Sequence, residues 1–286
     1  MINETRILVT GASGFIGSKL VKLLNKDSEF RVFRGVRTLA SNDSESDVII
    51  DLSDITSILN LVDNYSFDAI VHLAAKVGWG GLSYEEMYTE NVLATGALGY
   101  VANRMGAKLL FGSAALVHGQ TAPKISLDIP VTADTDYART KYDAESLLQS
   151  ILPTVCIFRI GGVFGQNGPN HLGLNRAISD ALQGKAPTIY GKGDGQRNYI
   201  FVDDLCNQII EAVRVKASGT HLIAGEETLT IKNMLEAVSL EFLNGMAATH
   251  LPESQSSFDQ VILGTQKFGG SQVFTEALKA ISRDNI

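Results

Sequence analysis

The stretch Arg6–Leu24, RILVTGASGFIGSKLVKLL, decides the fold. A short apolar β-rich run, Arg6–Thr10, passes straight into a glycine-rich turn and then into a helical pattern. Within TGASGFIG, Gly11, Gly14 and Gly17 stand at GxxGxxG spacing. A pyrophosphate site needs a strand, a tight turn with no Cβ near the anion, and a helix whose first N–H groups face that anion. All three follow here without interruption, so Gly11, Ser13, Gly14, Phe15, Ile16 and Gly17 are candidate dinucleotide-binding residues.

Working outward, the strand–helix alternation continues. Arg31–Val36, Val48–Asp51, Ala69–Ala74, Lys108–Ser113 and Thr154–Ile160 read as further buried strands. Between them, Ile16, Leu20, Leu23 and Leu24 share one helical face, as do Ile55, Ile58, Leu59 and Val62, so each crossover can lay an apolar stripe on the sheet. The expectation is an α/β fold with a doubly wound parallel sheet. After Ile160 the rhythm gives way to Gly- and Pro-containing loops, then a strand at Tyr199–Val202 and a helix opened by Asp203 or Asp204. The expected division is a dinucleotide-binding domain, 1–163 with 198–224, and a smaller C-terminal substrate lobe, 164–197 with 225–286.

Composition narrows the function. A chain of 286 residues with 45% hydrophobic content can bury one large core, or one core and a smaller lobe. The net charge of −7, with no Lys/Arg run, argues against a nucleic-acid partner. Cys156 and Cys206 lie in apolar stretches without metal-ligand or CxxC spacing, which points to reduced core thiols and no metal. The N-terminal stretch MINETRILVT has neither a signal-peptide pattern nor the roughly 20 apolar residues of a membrane span, so a cytoplasmic protein without a membrane partner is expected.

Two features speak to cofactor and chemistry. At the end of the second strand an acidic residue would hydrogen-bond a ribose 2′-hydroxyl, but Arg37 stands there, with Arg34 close by. A guanidinium pairs with a 2′-phosphate, so NADP is expected in preference to NAD. In YARTK, Tyr137 and Lys141 lie four apart at the start of a helix and share a face. A free phenol, of pKa near 10, is a poor acid–base group at neutral pH, and an adjacent ammonium would favour its phenolate. His72 reads as a packed strand residue.

These motifs, with three further segments in the same order, resemble the extended short-chain dehydrogenase/reductase superfamily. The segments are Asp51-Leu52, HLAAK at His72–Lys76, and Asn91 within ENVLATG. The resemblance implies a Rossmann-like domain in which Asp51 and Leu52 border the adenine, Leu73, Ala74, Ala75 and Lys76 line phosphates and ribose, and Asn91 supports the site. It implies that Tyr137 exchanges a proton with a sugar hydroxyl while Lys141 also holds the nicotinamide ribose.

The segment GKAPTIYGKGDGQRNYIFVDDL, 184–205, resembles the substrate stretch of nucleotide-sugar epimerases and dehydratases. There Arg197 would pair with the nucleotide diphosphate and Tyr190 would approach the base or ribose. Homodimerisation through the helices around Glu85–Arg104 and Tyr137–Ser150 is also implied, with Leu93, Ala97 and Tyr100 on outward faces.

The chain departs from the resembled pattern at several places. In FGSAALVHG the catalytic Ser/Thr position is Ala114, His118 replaces a usual Tyr, and Ser113 matches a supporting Ser. Ser113 is the remaining hydroxyl to set beside Tyr137 and Lys141 as a catalytic candidate, although strand alternation turns it to the opposite face. Arg159 in FRIGGVFG fits the pattern, but Gly162 stands where several 4-epimerases carry a substrate-binding Asn. Ala115 and Leu116 do not supply the acidic residues of the dehydratases. The expected function is an NAD(P)-dependent 4-epimerase or 4-keto reductase of a nucleoside-diphosphate sugar. The alternatives are a reductase of a small carbonyl compound, or a cofactor-binding sensor or scaffold that does no chemistry.

Overall fold

The structure is a computed structural model that describes residues 4–38, 46–78, 81–255, 257–264 and 267–283. Met1–Asn3 of the N-terminal stretch read above lie outside them. In chain order the first elements are β1 Thr5–Thr10, α1 Phe15–Leu24, β2 Phe30–Val36, β3 Asp47–Ile49, α2 Ile55–Leu59, α3 Leu61–Asn64 and β4 Ala69–His72. There follow α4 Tyr84–Tyr88, a π-helical turn Thr89–Leu93, α5 Ala94–Met105, β5 Lys108–Ala114, a 3₁₀ turn Ala115–His118, β6 Lys124–Ile125 and α6 Asp136–Ile151. The remainder is β7 Cys156–Ile160, β8 Val163–Phe164, α7 Gly173–Leu182, β9 Thr188–Tyr190, β10 Gln196–Arg197, β11 Ile200–Phe201, α8 Val202–Arg214, β12 Gly219–Ile223, β13 Leu229–Thr230, α9 Ile231–Leu243, β14 Thr249–Leu251, β15 Val261–Ile262 and α10 Phe274–Arg283.

Two compact units emerge. One comprises Met1–Gly119, Val131–Arg159 and Cys206–His221, the other Gln120–Pro130, Ile160–Leu205 and Leu222–Ile286. Residues 120–130, 160–163, 198–205 and 222–224, assigned above to the dinucleotide domain, group with the second unit.

The first unit is built on a seven-stranded sheet of order β12-β7-β5-β4-β1-β2-β3. The pairings of β1 with β2 and β4, of β2 with β3 and of β4 with β5 are parallel. Ile7, Leu8 and Val9 are wholly buried, as expected of a strand covered by helices on both faces.

Helix α1 buries Gly17, Leu20, Val21 and Leu24, whereas Ile16 and Leu23 of the expected stripe are half-buried. Contact of Gly17 with the Gly11 backbone turns that face inward, and 17, 20, 21 and 24 then follow at i, i+3, i+4, i+7. The expected single face of Ile55, Ile58, Leu59 and Val62 is also corrected. Backbone ψ of −12° at Asn60 tightens the turn between α2 and α3, so Leu61 follows Ile58 into the core while Leu59 is left 39% exposed. Helices α5 and α6 approach closely: a Cβ on Gly96 would lie 2.4 Å from a Leu147 methyl, and one on Gly99 2.6 Å from a Leu148 methyl. Ala97 belongs to the core rather than an outward face, and Leu93 and Tyr100 are exposed.

In the second unit the sheets are two-stranded: β10 with β13, β11 with β8, β14 with β9 and β15 with β6. The expected strand at Tyr199–Val202 is reduced to Ile200–Phe201, and Asp203 and Asp204 lie inside the first turn of α8 rather than capping it. Helices α7 and α9 pack through Ala177, Leu235 and Ile189 of β9. The side chain of Thr230 caps α9 at Asn233 N.

Candidate active site

The turn after β1 has the form the sequence demands. Gly11 has φ +70°, and a Cβ there would lie 2.8 Å from Ala74 N. A Cβ on Gly17 would lie 2.1 Å from Gly11 O. Helix α1 starts at Gly14 with no side-chain cap, so its first N–H groups, around Phe15 and Ile16, are not satisfied from a side chain. Ser13 is exposed beside them. A floor without Cβ atoms under an uncapped helix start fits a pyrophosphate.

The other strand ends join this turn. Leu73 N donates to Thr10 O at 3.3 Å and Ala74 N to Thr10 Oγ1 at 3.5 Å, which brings half-buried Leu73–Lys76 beside Gly11. Strand β4 therefore ends at His72, and the Leu73-Ala74 part of the expected strand belongs to the loop. Lys76 Nζ pairs with Glu90 at 2.7 Å. Asp51 is exposed, and its Oδ1 accepts from Ser53 N and Ser53 Oγ; these bonds, and more weakly Arg37, lower its pKa. Leu52 packs on the core. Arg37 is exposed, whereas Arg34 forks onto Asp47 at 2.6 and 2.5 Å and is engaged there.

Asn91 sits in the π-helical turn, a local widening that often marks a functional position. Its Oδ1 accepts from Lys76 N at 2.8 Å, and its Nδ2 donates to Lys76 O at 2.8 Å and Thr140 Oγ1 at 3.1 Å. The Thr140 hydroxyl in turn donates to Tyr137 O at 2.8 Å. One amide thus ties the loop after β4 to the helix carrying Tyr137. His72 is fully buried between Thr10 and Thr95. Because the Thr95 hydroxyl donates to Asn91 O, His72 Nε2 donates to Thr95 and Nδ1 accepts from Thr10. Burial, then the Lys141 charge, pushes its pKa down to about 3, so it stays neutral as a packing residue.

Tyr137 and Lys141 lie in the first turns of α6, capped by Thr135. The ammonium was expected to favour the phenolate, but Lys141 Nζ donates to Gly112 O at 2.8 Å and lies 4.5 Å from the Phe111 ring centroid, against 5.9 Å from that of Tyr137. Burial pushes the phenol up to about 12. Burial likewise lowers Lys141 to about 8, with Glu145 opposing.

Around these residues runs a buried network that sequence reasoning missed. Ser113 Oγ donates to Glu145 Oε1. Arg159 grips Glu145 through Nε at 3.2 and 3.1 Å and Nη2 at 2.7 Å, and donates through Nη1 to His118 Nε2 at 2.9 Å. Ser113, expected as a catalytic candidate, instead has its hydroxyl committed to Glu145. Strand β5 stays extended through Ala114, at φ −126° and ψ 137°, so Ser113 and Ala114 face opposite sides. The available signal was the spacing Tyr137, Lys141, Glu145, each one helical turn from the last.

In the second unit, Arg197 is half-buried in β10, where its Nη1 donates to Gln196 O at 2.9 Å and to Phe258 O. Burial lowers its pKa, with Tyr199 and Asp259 opposing, and no carboxylate among the described residues lies within ion-pair distance of it. Asn198 anchors this segment by donating to Gly225 O and Ile262 O, each at 2.8 Å. Tyr190 is 55% exposed at the end of β9. A Cβ on Gly162 would lie 2.4 Å from the Tyr199 ring, so that aromatic side chain fills the room an Asn would need. Among the described residues no cluster of His, Cys, Asp and Glu could hold a metal, no helix is long and apolar enough to cross a membrane, and both cysteines are buried and unbridged.

Comparison with known proteins gives this arrangement a context. The family described as NAD dependent epimerase/dehydratase matches residues 7–225. The chain is 29% identical over 276 residues to the uncharacterized UDP-glucose epimerase YtcB of Bacillus subtilis, covering 85% of this chain and 84% of that one. It is 30% identical to a UDP-glucose 4-epimerase of Mycolicibacterium smegmatis, covering 72% of each. Among solved structures, a UDP-glucuronic acid 4-epimerase of Bacillus cereus in complex with NAD has a TM-score of 0.80 at 23% identity, covering 98% of this chain and 96% of that one. A dTDP-4-dehydrorhamnose reductase of Bacillus anthracis in complex with NADP has a TM-score of 0.80 at 17% identity, covering 98% and 99%.

Proposed function

Because the chain belongs to the NAD-dependent epimerase/dehydratase family, we propose that it is an NAD(P)-dependent enzyme of nucleoside-diphosphate sugars, of the 4-epimerase or 4-keto reductase type. One observation carries this reading: Asn91 and Thr140 join the loop beside the phosphate cradle to the turn bearing Tyr137 and Lys141. A bound nicotinamide supplies a hydride acceptor or donor. Tyr137 exchanges the proton of the sugar hydroxyl, and the Lys141 ammonium holds the ribose and the local charge. Gly11, Ser13, Gly14, Phe15, Ile16 and Gly17 cradle the pyrophosphate, Leu73 to Lys76 flank it, and Asp51 and Leu52 border the adenine. Arg37 favours a 2′-phosphate and hence NADP; NAD is the alternative.

In the second unit, Arg197 takes the substrate diphosphate, a role its half-buried fork without a carboxylate partner suits. Tyr190 takes the base or ribose, and the names of the relatives support a UDP- or dTDP-sugar. Exposed Leu93 and Tyr100 support a homodimer through α5 and α6. A second reading, a cofactor-binding protein without chemistry, is favoured by Ala114 together with the engagement of Ser113.

The test is incubation with NAD(P)(H) and a panel of UDP- and dTDP-sugars, including 4-keto sugars, with products read by mass spectrometry and NMR. Conversion is expected, and Tyr137→Phe is expected to slow it by about 10²–10⁴-fold while leaving cofactor affinity unchanged. Full turnover in Tyr137→Phe would overturn the assignment. Cofactor binding without conversion of any sugar would favour the second reading.

A further inference from the structure

The network Ser113–Glu145–Arg159–His118 is used by no step of the chemistry proposed above. Its members are nearly sealed from water, with Glu145 1% and Arg159 8% exposed. Taking both ions of such a pair out of water is costly, so an apolar replacement of equal shape is often no less stable. Fold stability alone is therefore a weak reason for it.

Its location supplies a better one. Glu145 lies one turn beyond Lys141 on α6. Ser113 directly follows Gly112, whose carbonyl receives Lys141 Nζ at 2.8 Å. The network therefore grips both elements that hold Lys141, the helix at Glu145 and the strand at Ser113. A guanidinium can only donate, so His118 Nε2 accepts from Arg159 and the imidazole is neutral.

The charges are correspondingly simple. Facing Lys141 are neutral His72 from β4, Phe111 and Gly112 O from β5, and Tyr137 and Glu145 from its own helix, with Arg159 of β7 and His118 of the 3₁₀ turn behind Glu145. Glu145 is the one anion in this set.

We propose that Glu145 is a positioning residue which, fixed by Arg159 and Ser113, keeps Lys141 charged and seated on the Gly112 carbonyl for its work with Tyr137. Burial drives Lys141 towards its neutral form at about pH 8, and the Glu145 carboxylate opposes that loss. The role rests on the reading of Tyr137 and Lys141 as the acid–base pair, but the titration of Lys141 can be followed without any substrate.

The experiment uses the full chain labelled with ¹⁵N-lysine, the Lys141 Nζ resonance being assigned by its loss in Lys141→Arg. Its titration is followed in wild type, Glu145→Gln and Glu145→Asp, and the alkaline limb of kcat/KM is recorded where turnover is measurable. The Lys141 midpoint is expected to fall by on the order of one pH unit in Glu145→Gln, to be largely restored in Glu145→Asp, and to carry the alkaline limb with it.

If Glu145→Gln does not fold because Arg159 is stranded, the double variant Glu145→Gln/Arg159→Gln removes both charges of that ion pair and should show a smaller fall in the same direction. A midpoint unchanged from wild type, with only the melting temperature lowered, would reduce Glu145 to packing and overturn the proposal. A fall of the Lys141 midpoint in Glu145→Gln, with a wild type that converts no sugar, would support the role of Glu145 and count against the functional reading alone.

Discussion

Replacing Gly17 by Ala tests the phosphate cradle with a single methyl group. The added carbon would lie 2.1 Å from Gly11 O, whereas such atoms ordinarily approach to about 3.3 Å. The turn and the start of α1 must therefore part by about 1 Å. Neither side yields easily, because Gly11 O already accepts from Gly14 N at 2.9 Å and Gly17 is buried.

Misaligning two backbone N–H bonds to a phosphate, at about 1.5 kcal/mol each, removes about 3 kcal/mol. That is about a hundredfold in affinity. The assay is a fluorescence titration with NADPH of wild type, Gly17→Ala and the control Ser18→Ala, whose exposed side chain lies on α1 away from the buried face. Thermal unfolding followed by circular dichroism establishes that each variant is folded, a cost of about 1–3 kcal/mol being expected for the forced methyl. A folded Gly17→Ala that binds NADPH within threefold of wild type would refute the cradle.

Arg37→Ser is expected to weaken NADPH binding by about tenfold or more through loss of a charge-assisted bond, with NADH affinity unchanged; equal losses for the two dinucleotides would contradict the 2′-phosphate role. Burial depresses Lys141 to about 8 from 10.5, so between these values the unfolded chain retains a proton that the folded chain has released, and stability rises with pH. From pH 8 to 10, before the raised Tyr137 phenol acts in the opposite sense, the gain is about 2 kcal/mol and is expected to vanish in Lys141→Met; parallel urea midpoints for the two chains across that range would contradict it.

What could be read from the chain depended on whether a signal was local. The turn at Gly11–Gly17 is local, because strand, turn and helix occupy adjacent residues and their mutual contacts follow from spacing. The alternation that set Ser113 against Ala114 is equally local. The inward face of α1 was not, since the Gly17–Gly11 contact rotates it and substitutes Val21 for Ile16 and Leu23. Charge partners were harder still: Arg34 reads as a free cation until β3 brings Asp47 alongside.

Glu145 is the sharpest instance, because a glutamate on an amphipathic helix reads as solvated unless a cation from another strand reaches it. Arg159 reaches it from β7, and this also decides what Ser113 can do. A hydroxyl already donating to a buried carboxylate would have to give up that charge-assisted bond, and leave the face that strand alternation assigns it, to stabilise charge on a substrate oxygen. The donor missing at Ala114 is therefore not recovered one residue earlier. Losing such a donor typically costs about 10²–10³-fold in turnover, which leaves a slow catalyst rather than an inert scaffold if Tyr137 and Lys141 act as proposed.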